Sequence, residues 1–107
     1  MITNFETFGD ILEPEIGDYV ICYGISPELN VFLSLNIGEI VKIGENYVDK
    51  KLYFVHYTHV PKRLKKYHFE GDDFAKNCKA FLEEEIKYLS KTKKDLEIYI
   101  DIEKHNV

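Results

Sequence analysis

The chain has 107 residues, of which 45% are hydrophobic and 31% are charged, a balance typical of one folded domain and unlike that of a disordered chain. Its net charge of −5 argues against a dedicated nucleic-acid-binding protein, because such proteins neutralise phosphates with a basic surface. We expect neither a transmembrane helix nor a signal peptide, since the sequence has no run of 18 apolar residues and residues 1–10 have no basic or apolar segment. A cytoplasmic protein is predicted, in the host cytoplasm or in a virion if the source is viral.

Amino-acid usage indicates the kind of genome that encodes the chain. Of the 14 basic residues only Arg63 is arginine, and the chain has 12 Ile but just two Ala. Because Lys and Ile have AT-rich codons, this bias predicts a low-GC genome, such as that of a phage, a large DNA virus or a low-GC bacterium. The two cysteines, Cys22 and Cys78, lie far apart without an export signal, so we expect buried thiols and no disulfide.

Two regions are predicted. Residues 1–16 form an N-terminal extension and residues 17–107 a single domain, because Pro14 and the following Gly17 turn interrupt any continuous element between them. Apolar side chains at helix-like spacing predict a short turn in the extension that covers one end of the core; they are Phe5, Phe8, Ile11 and Leu12.

The first half of the domain is predicted to be mostly β. Residues 19–23, 37–43 and 51–58 are rich in β-branched and aromatic residues and predict three strands. A short turn separates the last two, which therefore form an antiparallel hairpin. Between the first two, Ser26 followed by Pro27 is typical of a helix start, so we expect a short helix or an ordered loop.

The second half has weaker signals. Residues 62–66 predict one helical turn, residues 77–81 a short strand, and residues 83–89 one or two helical turns. Residues 91–104 are ambiguous, because apolar residues alternate with polar ones as in a strand while Ser90 is placed to cap a helix. We favour the strand and leave the helix open; such an edge strand would pair with a second copy of the chain.

Three segments of this sequence resemble the first strands of the SH3-like small barrels, as found in Tudor, chromo-barrel and KOW-type domains. They are Gly17-Asp18-Tyr19-Val20, Gly38-Glu39-Ile40-Val41 and Tyr53-Phe54-Val55-His56-Tyr57. The resemblance implies a mainly β fold, a small antiparallel barrel with short helical turns, over residues 17–102. The first loop and residues 61–76 are longer than in that pattern, and no Ala-Leu-Tyr-Asp-Tyr motif marks a domain that binds PxxP peptides.

Aromatic side chains of the third strand form one candidate site. Alternation places Tyr53, Val55 and Tyr57 on one face and Leu52, Phe54 and His56 on the other. If the Phe54 face is the core, Tyr53 and Tyr57 line a partner-binding surface together with Tyr23. The resemblance to Tudor domains then implies a cage for methylated Lys or Arg. The alternative is that these tyrosines complete the core.

A basic segment forms the other candidate site. Residues 59–68 read HVPKRLKKYH and contain no acidic residue, so contact with phosphates or with an acidic protein surface is one interpretation. Its candidate contacts are Lys62, Arg63, Lys65 and Lys66. The alternative is a solvated loop with Leu64 turned inward.

Signatures of chemistry are missing from the sequence. It contains no CxxC, HxxxH, GxSxG or glycine-rich phosphate loop, so we expect no metal, no cofactor and no enzymatic activity. The sequence therefore predicts a non-catalytic interaction module that binds a protein partner, such as a phage or viral accessory or structural protein, with no membrane association. The alternative is a nucleic-acid-binding small barrel that uses residues 59–68.

Overall fold

The computed structural model describes residues 2–4, 13–45, 48–67, 69 and 77–105. Their elements, in chain order, are β1 (Ile2–Asn4), β2 (Tyr19–Cys22), α1 (Pro27–Leu35), β3 (Gly38–Glu45), β4 (Lys51–His56), a 3-10 helix (Lys62–Tyr67), β5 (Cys78–Phe81), a second 3-10 helix (Glu83–Glu85), β6 (Ile86–Ser90) and α2 (Lys93–His105). The predicted class, mainly β with short helices, is confirmed.

The strands form one antiparallel sheet in the order β1-β6-β2-β3-β4-β5. Among the described residues, β1 and β5 lie at the two ends of this order without pairing with each other. Closure into an SH3-like barrel therefore stays a prediction, as does the division into an extension and a domain. The apolar turn predicted between residues 5 and 12 lies outside the described residues.

Most local predictions in the middle of the chain are confirmed. The four predicted strands are observed as β2, β3, β4 and β5, with ends shifted by up to two residues. Ser26 caps α1, since its Oγ accepts a hydrogen bond from the Leu29 N–H at 3.2 Å, and Pro27 occupies the first helical position. The predicted turn after Pro61 is the first 3-10 helix.

Two predictions near the C-terminus are wrong. The favoured strand over residues 91–104 is the helix α2, whose buried side chains among those described are Leu96 and Ile100, four residues apart on one helical face. Ser90 precedes it and accepts a hydrogen bond from the Thr92 N–H at 3.2 Å. Because this segment is helical, it offers no edge strand to a second copy.

The segment predicted to be helical over residues 83–89 is helical only at Glu83–Glu85. The rest is β6, which lies between β1 and β2 and receives backbone hydrogen bonds on both sides. Ile86 and Leu89 of β6 are buried in the core, so strand pairing and burial end the helix after the glutamates.

The sheet has one fully packed face and one partly covered face. On the packed face, α1 and the first 3-10 helix cover a single apolar core; its members include Val20, Cys22, Leu29, Leu33, Ile40, Tyr53, Val55, Tyr57, Leu64 and Phe81. On the opposite face, α2 packs over β2 and β6, where Ile21 contacts Leu96 and Ile100. Neither described helix has the length and hydrophobicity needed to cross a bilayer.

Close packing at the start of β3 provides a stability test. A Cβ at Gly38 would overlap Val55 Cγ1 and lie 2.9 Å from Tyr57 Cζ, both in the core, whereas a Cβ at Gly44 would meet only Phe54 Cε2 at 3.3 Å. We expect Gly38→Ala to lower the free energy of unfolding by about 1–3 kcal/mol through overpacking. Gly44→Ala is the matched control and should change it little, as measured by urea unfolding. Equal effects of the two substitutions would contradict this packing.

Candidate partner-binding groove

The structure places two of the candidate tyrosines in the core. Tyr53 and Tyr57 are each 1% exposed, and Val55 between them is fully buried. The Tyr57 ring packs against Phe32 and Phe69 at centroid distances of 5.6 and 5.9 Å. The interpretation with the Phe54 face inside is therefore wrong, and the alternative, in which the tyrosines complete the core, is what is observed.

The Tyr57 hydroxyl is buried without a hydrogen-bond partner among the described residues. The Cys22 thiol lies beside it, close enough to affect its ionisation but without hydrogen-bond geometry. Burial raises the pKa of Tyr57 well above its ordinary value, and it also raises the pKa of the Cys22 thiol. Both groups are therefore neutral at physiological pH.

An unpaired buried hydroxyl costs stability, which gives a direct test. Tyr57→Phe removes the unsatisfied group and keeps the ring, so we expect the free energy of unfolding to stay the same or to rise by up to about 1–2 kcal/mol. If the hydroxyl were hydrogen-bonded, the same substitution would instead lower the free energy of unfolding by about 1 kcal/mol. Tyr53→Phe is the control for loss of a hydroxyl from β4. A clear loss of stability in Tyr57→Phe alone would show that the hydroxyl has a partner.

Both cysteines are buried free thiols, as predicted. Desolvation raises the pKa of Cys22 and of Cys78, which lowers the thiolate fraction that reacts with disulfide reagents. We expect the single-cysteine variants Cys22→Ala and Cys78→Ala to react with an aromatic disulfide reagent at pH 8 only after denaturant is added. Stoichiometric labelling of either native variant within minutes would contradict this burial.

The basic segment is held against α1 by one carboxylate. Glu28 of α1 accepts Arg63 Nε at 3.1 Å, Lys66 Nζ lies 4.0 Å from its other oxygen, and the Tyr67 hydroxyl donates to that same oxygen at 3.4 Å. Leu64, on the other side of the turn, is buried in the core. The observed arrangement is a turn anchored by Leu64, with part of its positive charge neutralised.

The remaining candidates do not assemble into one site. Lys65 donates a hydrogen bond to Asn77 Oδ1, while Lys62 is exposed and makes no ion pair with another described residue. Tyr23 is half-buried after β2, and the ammonium of Lys87 lies 5.5 Å from its ring centroid. The seven predicted partner-binding residues are thus divided between the core, the 3-10 helix and the end of β2.

A groove that the sequence analysis did not predict lies on one flank of α2. Its cavity volume is about 520 Å³, and it is open to solvent. The chain after β4, at residues 57–59, forms one wall and α2 forms the other, while Ile37 and Ile100 contribute apolar surface. Once α2 is known to be a helix, its lining side chains fall on one flank at helical spacing; they are Lys93, Glu97, Asp101 and Lys104.

The charges along this groove have an ordered arrangement. Lys93 and Lys104 lie about 16 Å apart along the helix axis, with Glu97 and Asp101 between them. Among the described residues, none of these four side chains forms an ion pair, so two ammonium groups flank two carboxylates that all face solvent. A ligand with a basic centre and acidic ends would complement this arrangement.

The described residues contain no group of three or more His, Cys, Asp or Glu side chains arranged to hold a metal ion. Comparison of the chain with protein-family models, with curated proteins and with solved structures finds no match. The resemblance to SH3-like barrels therefore stays a prediction, and the groove is the feature of the fold that suggests a function.

Proposed function

We propose that the chain is a non-catalytic interaction module that binds a segment of a protein partner in the groove beside α2. The observation that carries this proposal is the groove's row of four charges, two positive ends around a negative centre, which pair with no other described residue and lie beside the apolar surface of Ile37 and Ile100. An apolar centre with a polar rim is the usual anatomy of a protein interface.

The shape of the groove supports a protein segment over a small molecule. Its volume lies in the range of binding sites, but small-molecule sites enclose most of their ligand, and this groove is open along its solvent side. A partner protein covers an open groove with its own surface. The charge order further favours a segment with basic residues in the middle and acidic residues on either side.

The alternative, nucleic-acid binding through residues 59–68, receives less support. Glu28 pairs with Arg63 and Lys66, and this carboxylate lies within the same surface that phosphates would have to approach. Lys62 and Lys65 remain as candidate contacts. A phage or viral role stays a prediction from amino-acid usage.

Two synthetic peptides of equal length test the proposal. One carries central lysines flanked by glutamates, and the other has these charges reversed, both with apolar residues between the charges. We expect the first to bind more tightly in fluorescence anisotropy, and the backbone amide NMR shifts to change at residues 57–59 and along α2. Lys93→Glu with Lys104→Glu should weaken binding about tenfold or more, because like charges then face each other.

The control is Lys62→Glu with Lys65→Glu, which makes the same change of charge on the basic segment and should leave peptide binding unchanged. Equal binding of both peptides, or shifts confined to residues 62–67, would contradict the groove proposal. Binding to duplex DNA or to RNA that falls steeply with salt and is lost in the control variant would favour the alternative.

A further inference from the structure

A smaller slot lies on the opposite flank of α2. It has a volume of about 150 Å³ and is lined by Ile21, Ser34, Lys87, Tyr88, Tyr99, Ile102 and Glu103. The rings of Tyr88 and Tyr99 form one wall, stacked at 4.0 Å between centroids and 19° between planes. This volume is below the usual range for small-molecule sites, so we consider a protein surface as its occupant.

Apolar residues extend from the slot onto the surface. Ile98 and Ile102, one turn apart on α2, are 58% and 48% exposed, and Val31 of α1 is 56% exposed. Val31 lies one helical turn before Ser34, which lines the slot, so the apolar surface spans both helices. Large side chains exposed together on two adjoining helices are typical of an interaction surface.

The charges at the slot are self-complementary. Lys87 and Glu103 both line it, and neither forms an ion pair with another described residue. The Lys87 ammonium is held over the rings of Tyr23 and Tyr88, at 5.5 and 5.4 Å from their centroids. A two-fold axis that passes between Lys87 and Glu103 brings each of these charges to its opposite in the other copy.

We propose that the chain forms a symmetric dimer through this face, with a second copy of itself as the occupant. In this dimer Ile102 packs near the two-fold axis against Ile102 of the partner subunit, and each Lys87 faces Glu103 of the partner subunit. The groove on the other flank of α2 stays open, so dimerisation and peptide binding are independent and their failures are distinguishable.

Sedimentation equilibrium of the full chain over a wide concentration range tests the dimer. We expect a monomer–dimer equilibrium for the wild type and a dissociation constant raised at least about tenfold by Ile102→Glu. Ile16→Glu is the matched control, because Ile16 is also an exposed isoleucine but lies in the turn before β2. A wild type that stays monomeric at about 1 mM, or equal effects of the two variants, would overturn the proposal.

Charge exchange tests the pairing itself. Lys87→Glu alone and Glu103→Lys alone should each weaken self-association about tenfold, because both symmetric contacts then join like charges. The double variant K87E/E103K should restore the dimer. An equimolar mixture of the two single variants should form a heterodimer, in which both contacts join opposite charges. If both single variants are folded by circular dichroism but their mixture does not associate, this pairing is overturned. Capture of a different protein by this face would overturn the second copy as its occupant.

Discussion

The architecture depends on which face of β4 is buried. Tyr53, Val55 and Tyr57 all lie in the core, and Gly38 on the neighbouring strand leaves the space that Val55 and the Tyr57 ring occupy. Side chains alternate along a strand, so this arrangement places Phe54 on the opposite face, where its ring lies against Gly44 and under the Lys42 ammonium. A shift of the strand register by one residue would exchange core and surface side chains throughout the strand.

The second constraint is how α2 lies on the sheet. Among its described side chains only Leu96 and Ile100 are buried beneath it, so both flanks and the outer ridge of the helix are left to solvent. The flank toward residues 57–59 forms the charged groove, and the flank toward Tyr88 forms the apolar slot. One amphipathic helix on a partly covered sheet thus produces two chemically different surfaces. The charged groove suits a charged peptide segment, and the apolar slot suits a second copy of the chain.

Contacts between distant parts of the chain set the local electrostatics. Glu28 neutralises part of the segment at residues 59–68, which contains basic but no acidic residues. Glu28 lies 35 residues before its partner Arg63 in the sequence. Buried Asp18 similarly accepts Lys91 Nζ at 2.8 Å, which ties the turn before β2 to the start of α2. This hydrogen bond is the main cause of the raised pKa of Lys91. Local charge runs are therefore a poor guide to the charge that a partner meets on this protein.

Local signals in the sequence determined the mainly β class, the strands from β2 to β5 and the Ser26 cap, because alternation, capping and apolar runs act over a few residues. The burial of Tyr53 and Tyr57, the identity of β6 and the helix at α2 were decided only by the tertiary structure. Leu96, Ile98, Ile100 and Ile102 follow a strand period, but in the helix Leu96 and Ile100 pack against Ile21 while Ile98 and Ile102 stay exposed. The groove was not predictable, since its walls come from parts of the chain that meet only after the sheet has formed.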